Sequence, residues 1–203
     1  PVNVSANDSQ SNISTFIDFD NSLVSWWRMD DVNGSGDLTD FTGKNNATAF
    51  GNAAQINDGK FGKGFNFDGG ISRGAGDYVQ TSSAVLVGNN FTYGGWFKFN
   101  DVSMPDWAIV LLKQSNQYWD LGTISLFVEK EGEDSFRVYC YSPESDGIYS
   151  AWTPATGVWY NFYCVHNGTA LNLYVDGVVQ PGFLESAENV MDAPFTIGGD
   201  SAN

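Results

Sequence analysis

Residues 171–177 read L-N-L-Y-V-D-G and are preceded at 159–165 by W-Y-N-F-Y-C-V. Leu171, Leu173 and Val175 alternate with Asn172, Tyr174 and Asp176, so one face is apolar and the other polar, the period-two pattern of a half-buried strand. Asp176-Gly177 makes a turn, because glycine accepts a positive φ. His166-Asn167-Gly168-Thr169 makes another, and the two runs therefore form a hairpin with a short loop. The rest of the chain reads as strands stacked beside this hairpin.

Working outward, F-T-Y-G-G-W-F-K-F at 91–99 is a strong strand, and W-A-I-V-L-L-K at 107–113 is an unbroken apolar run suited to a buried one. Further strands are predicted at 123–128, 136–141, 148–152 and 195–197. Toward the N-terminus, S-L-V-S-W-W-R-M at 22–29 is strand-like and opens into a loop rich in Gly, Asn and Asp. A short strand at 47–50 follows, then G-K-F-G-K-G-F-N-F-D-G at 59–69, read as a bulged strand, and D-Y-V-Q-T at 77–81. Residues 1–20 are polar and read as a linker or N-terminal arm, within which Ile13, Phe16, Ile17 and Phe19 could supply an extra strand over 13–19. Frequent strands, turn residues between them and few helix signals predict an all-β, two-sheet antiparallel sandwich over 21–203.

The chain has 203 residues, a length that fits one such domain, and its 42% hydrophobic and 15% aromatic residues supply a sizeable core. A net charge of −15 argues against nucleic acid, whose binding needs Lys and Arg to displace counterions, and against anionic membrane surfaces. No apolar run approaches a membrane span, so no direct membrane insertion is expected. Seven N-x-S/T sequons, at Asn3, Asn7, Asn12, Asn33, Asn46, Asn90 and Asn167, suit an extracellular glycoprotein, although a chain this rich in Asn, Ser and Thr produces some by chance. Cys140 and Cys164 end apolar strand patterns and are read either as a disulfide formed in an oxidising compartment or as two buried thiols.

The ordered set D-x-x-G-K-N-N, G-K-F-G-K-G-F-N-F-D-G, D-Y-V, Y-G-G-W-F-K-F, W-Y-N-F, L-N-L-Y-V-D-G and T-I-G-G resembles the laminin-G-like jelly roll of the concanavalin A-like lectin and glucanase superfamily. The resemblance runs from about Leu23 to Asp200 and implies two curved sheets packed face to face, often with a rim calcium, in binding modules of secreted or surface proteins. The family's final strand, which follows I-G-G and pairs near the first, has no counterpart before Asn203; either the fragment is cut short of it or another segment fills its place, with residues 13–19 the candidate. By the same resemblance Asp30, Asp40 and Asn45 are expected to hold calcium, with Asp77 and Asp200 as further ligands; the chemistry is apt because calcium takes six to eight oxygens from carboxylates, amides and carbonyls. The competing reading is that Asp and Asn stand there because turns favour them.

For a glycan, aromatic rings stack on sugar faces while carboxylates and amides take the hydroxyls. Trp107 beside Asp106, Tyr118-Trp119-Asp120, and Tyr149 with Trp152 qualify by type, against the ordinary use of aromatics as core; Trp96 and Trp159 are assigned to the core, as is one of Trp26 and Trp27. Glu129, Glu131 and Glu133 alternate as the acids of jelly-roll endoglucanases do, but Lys130, Gly132 and Asp134 between them favour a charged hairpin turn. One histidine, His166, and two strand cysteines support neither a zinc site nor a Cys-His dyad.

The expectation is a lectin-like, non-catalytic adhesion or recognition module of an extracellular or cell-surface protein, calcium-binding, set among neighbouring domains, and recognising a glycan or a surface protein. The alternatives are a glycan-cleaving hydrolase or lyase, which needs two carboxylates in a concave groove with Glu129–Glu133 on the sheet, and a ligand-free spacer.

Overall fold

The computed structural model describes residues 21–68, 76–85, 88–101, 109–114, 124–130, 136–141, 148–181, 184–185 and 193–199. Fourteen strands follow in chain order: β1 (Ala47–Phe50), β2 (Ala54–Ile56), β3 (Gly64–Asn66), β4 (Tyr78–Val85), β5 (Asn90–Lys98), β6 (Ile109–Gln114), β7 (Ile124–Lys130), β8 (Phe136–Tyr141), β9 (Ile148–Trp152), β10 (Trp159–Asn167), β11 (Ala170–Val175), β12 (Val178–Val179), β13 (Leu184–Glu185) and β14 (Ala193–Ile197). There is no helix among the described residues. All pairings are antiparallel: a seven-stranded sheet in the order β1-β4-β14-β6-β7-β8-β9, a five-stranded sheet β12-β11-β10-β5 with β13 beside β11, and the hairpin β2-β3.

The two large sheets pack face to face because alternate residues on each are apolar. Val79, Leu126, Val128, Val138 and Ile197 of the seven-stranded sheet meet Tyr93, Phe162, Leu171 and Leu173 of the five-stranded sheet in one buried cluster. Trp27 stacks on Phe195 with centroids 5.6 Å apart and packs against this cluster, while Trp152 meets Tyr160 and Phe162 edge-on at 4.6 and 5.1 Å. A disulfide joins Cys140 of β8 to Cys164 of β10, which ties one sheet to the other across a Cα–Cα distance of 5.7 Å. Of the two readings the sequence allows, the bonded pair is the one found.

The opening hairpin forms as β10 and β11, paired from Phe162↔Val175 to His166↔Leu171. Asp176 and Gly177 both take positive φ, 50° and 80°, the twist a two-residue hairpin turn needs, and β12 pairs back on β11. Asp176 Oδ1 also accepts the Asn161 N–H at 2.8 Å, pinning the turn to β10. β14 enters between β4 and β6, with a register shift between Pro194 and Thr196 where the proline cannot donate to the ladder.

Two segments depart from the sequence reading. Residues 22–29 form no strand among the described residues, because the loop intercepts the backbone: the Trp26 N–H donates to Asp40 Oδ1 and the Trp26 carbonyl accepts from the Phe41 N–H. Among the described residues, 59–68 form no single bulged strand; Gly59 N–H bonds Gly62 O in a turn, and β2 and β3 close as a separate hairpin. The N-terminal arm, with the proposed extra strand over 13–19, lies outside the described residues.

Candidate functional site

The middle of the seven-stranded sheet is buried on both sides. In β7, Ile124, Leu126 and Val128 point into the core, yet Ser125 and Phe127 on the opposite side are also buried, with Phe127 at 6% exposure. Phe127, Tyr139 and Tyr149 stand opposite one another on β7, β8 and β9 and form a row of rings across the outer face. Phe127 stacks on Tyr139 with centroids 4.7 Å apart and an interplanar angle of 7°, and Tyr139 meets Tyr149 at 5.2 Å. Tyr149, 47% exposed, ends the row in solvent.

One register step away, Glu129 of β7 faces Arg137 of β8. The Arg137 guanidinium lies 4.3 Å over the Tyr149 ring, and its Nη1 donates to the Tyr139 hydroxyl at 3.3 Å. Burial pushes the Tyr139 hydroxyl up from its ordinary pKa; Glu129, accepting its proton in a hydrogen bond, adds to the rise, and Arg137 opposes it. Tyr139 is therefore neutral throughout the physiological range. The face joins an exposed ring to a guanidinium, a hydroxyl and a carboxylate, the groups that together hold a sugar ring and its hydroxyls.

Glu129 belongs to β7 and stands on the sheet, where the sequence reading placed the acidic run in a turn; β7 and β8 do pair as a hairpin, and Glu131 and Glu133 lie outside the described residues. Of the residues expected to bind a ligand, Tyr149 is on this face. Trp152 faces the core instead, and Trp107, Tyr118 and Trp119 lie outside the described residues. The sequence reading missed Arg137 and Tyr139, although they alternate with Val138 and Cys140 and so share a face by simple parity. It also put Trp96 and Trp159 in the core. Both stand on the outer face of the five-stranded sheet, with Trp96 38% exposed, because the inward positions of β5 and β10 go to Tyr93, Phe97, Phe162 and Cys164.

The four described residues expected to hold calcium are already engaged with the backbone. Asp40, 1% exposed, accepts the N–H groups of Trp26, Thr42 and Asn45 at 2.7, 3.0 and 3.0 Å and the Thr42 hydroxyl at 2.5 Å. Burial works against its ionisation, but these donors outweigh it and hold the carboxyl below its ordinary pKa. Asp30 Oδ1 accepts from Lys63 N at 2.8 Å; Asp77 accepts from Asn52 N and Asp68 N at 2.7 and 2.8 Å; the Asn45 amide donates to Val24 O and Ser25 Oγ. In these positions the side chains order their own loops, and no group of three metal-type side chains meets among the described residues. Asp200 lies outside the described residues.

A laminin-G family model, described as the concanavalin A-like lectin/glucanases superfamily, matches residues 73–203. The chain belongs to this superfamily. Among curated proteins none matches it. Domain 4 of AbnA, a GH43 extracellular arabinanase from Geobacillus stearothermophilus solved with arabinotriose, is similar at 17% identity over 83% of this chain and 81% of that one, with a TM-score of 0.56. A β-1,3-glucanase from Mycobacterium marinum is similar at 13% identity over 83% and 69% of the two chains, with a TM-score of 0.38, and the alginate lyase AlgAT5 of polysaccharide lyase family 7 at 13% over 84% and 73%, with 0.35. These likenesses concern the fold.

The similarities correct one expectation, that the laminin-G-like domain is not an enzyme. A domain of a glycoside hydrolase has this fold, so the sandwich gives no ground for setting catalysis aside.

Proposed function

We propose that this laminin-G-like domain is a carbohydrate-active domain that takes a glycan across the outer face of the seven-stranded sheet, over Tyr149, Arg137, Tyr139 and Glu129. The observation that carries the reading is the Tyr149 ring with the Arg137 guanidinium 4.3 Å above it, beside the Tyr139 hydroxyl and Glu129. The ring offers a flat apolar surface for sugar C–H groups, and the polar trio offers donors and an acceptor for hydroxyls. The Cys140–Cys164 bridge supports an oxidising compartment, and we place the domain outside the cell on that basis.

The test is affinity electrophoresis and calorimetry against arabinan, β-1,3-glucan, mixed-linkage glucan and alginate. We expect binding to at least one polymer and a drop of about tenfold in Tyr149→Ala, the equivalent of ~1.4 kcal/mol of lost stacking. No binding across the panel, or full affinity in Tyr149→Ala, overturns the reading. The same mixtures are assayed for new reducing ends and for unsaturated ends; cleavage lost in Glu129→Gln would place chemistry on this face. Hydrolysis by a carboxyl pair needs a partner for Glu129 at about 5–9 Å, and Glu129 is the one carboxylate assigned to the site among the described residues.

A further inference from the structure

The outer face of the five-stranded sheet carries a second set of rings that the first site does not use. Trp96 of β5 stands opposite Asn161 of β10, Lys98 opposite Trp159, and Gly94 opposite Tyr163, which in turn faces Tyr174 of β11. Glycine is required at position 94, because a Cβ there would stand 2.5 Å from Tyr163 Cδ1; the Tyr163 ring lies over the bare backbone. Successive same-face positions on a strand are about 7 Å apart, so the Trp159, Trp96 and Tyr163 rows extend over roughly 14 Å.

Polar groups border these rings. Lys60 Nζ sits 4.4 Å from the Trp96 centroid, and Phe61 meets Trp96 edge-on at 6.0 Å, both from the turn before β3. Lys98 Nζ lies 5.1 Å from the Trp159 centroid and pairs with Asp58 at 2.5 Å. Asn161 Nδ2 donates to Gly95 O at 3.3 Å, which fixes the amide between the rows. A face with a part-exposed tryptophan at its centre and a fixed amide and ammonium groups around it has the make-up of a binding surface.

We propose that this face is a second glycan site, on the sheet opposite the first, and that it takes a neutral polysaccharide chain laid along β5 and β10 with sugar faces on Trp96, Trp159 and Tyr163. Charge selects the occupant. The chain carries −15, which repels polyanions, and of the two lysines at the rings Lys98 is already neutralised by Asp58. What remains is stacking surface and hydrogen-bond groups, which suit hydroxylated, uncharged rings. With sites on opposite sheets one domain holds two chains, or two segments of one.

Affinity electrophoresis in a soluble neutral glucan, with alginate as the acidic comparison, tests this using Trp96→Ala, Trp96→Phe, Tyr149→Ala and the double variant Trp96→Ala/Tyr149→Ala. Circular dichroism checks folding; Trp96 is a surface ring, so its variants are expected to keep the native spectrum. We expect residual retardation in Tyr149→Ala that falls at least tenfold when Trp96→Ala is added, partial rescue by Trp96→Phe, and little effect of salt. Loss of all binding in Tyr149→Ala alone overturns the second site and leaves the first standing. Binding that ignores Tyr149→Ala but disappears in Trp96→Ala upholds the second site and overturns the first. A wild-type dimer in sedimentation that becomes monomeric in Trp96→Ala makes the face a contact between copies and overturns the proposal. Salt-sensitive binding to alginate at the expense of the neutral glucan overturns the choice of ligand, and absence of binding to either polymer overturns the site.

Discussion

Replacing Cys140 and Cys164 together by alanine is expected to lower stability by about 3.5 kcal/mol, the chain-entropy value for a loop of this length. The bridge spans 24 residues of sequence and joins β8 to β10, so it limits how far the unfolded chain separates two strands that belong to opposite sheets. Each half-cystine is fully buried among apolar neighbours, and alanine leaves a void where the sulfur atoms packed, which adds to the loss. For a domain of this size each kcal/mol moves the melting midpoint by about 2–4 °C, so thermal melts should shift by roughly 7–14 °C. A shift no larger than the scatter between repeat melts would mean that the sheets hold each other without the bridge.

Asp40→Ala is expected to cost about 3 kcal/mol, because it removes one acceptor from several donors at once and leaves part-buried N–H groups without a partner. Trp26, Thr42 and Asn45 all donate to this carboxylate, and through Trp26 it holds the segment that carries Trp27 against the core. The sign of the pH dependence follows from the lowered pKa. The folded state binds the proton more weakly than the unfolded chain, whose value is near 3.8, so the contribution is complete above that value and is lost as pH falls through the folded one. The gap in midpoint between the wild-type domain and Asp40→Asn should therefore be widest near neutrality and narrow in acid. A gap that stays constant down to acid pH would show that the charge of Asp40 contributes nothing beyond its shape.

Strand positions were legible wherever period two was strong. β10, β11 and the Asp176-Gly177 turn follow from apolar alternation and from glycine's tolerance of positive φ, and β8 and β9 form at 136–141 and 148–152 as read. Applied strictly, the same alternation would have moved Trp96 and Trp159 out of the core: Tyr93, Phe97 and Phe99 share a parity that Trp96 does not, and Phe162 and Cys164 one that Trp159 does not. Aromatic type alone points to the core at these positions, and strand parity decides against it. Residues 22–29 look like a strand by composition, and only the contact of Asp40 with Trp26, fourteen residues away in sequence, shows why no ladder forms there. The site on the seven-stranded sheet was half legible. Tyr149 was read by type, but Glu129, Arg137 and Tyr139 act together only once β7 and β8 are set in register, and pairing between strands is not written in either strand alone.

β14 fills the gap between β4 and β6, strands whose first residues come about 115 and 84 positions earlier in the chain. Until residues 193–197 have emerged in synthesis, β4 and β6 therefore each lack the neighbour that joins them into one sheet. They become one sheet only when residues 193–197 slide in, a step dominated by non-local contacts of the sort that folds in milliseconds to seconds rather than microseconds. The domain is in this sense keyed from its C-terminal side. Chaperones, and the pace of translation up to the emergence of residues 193–197, should influence its yield.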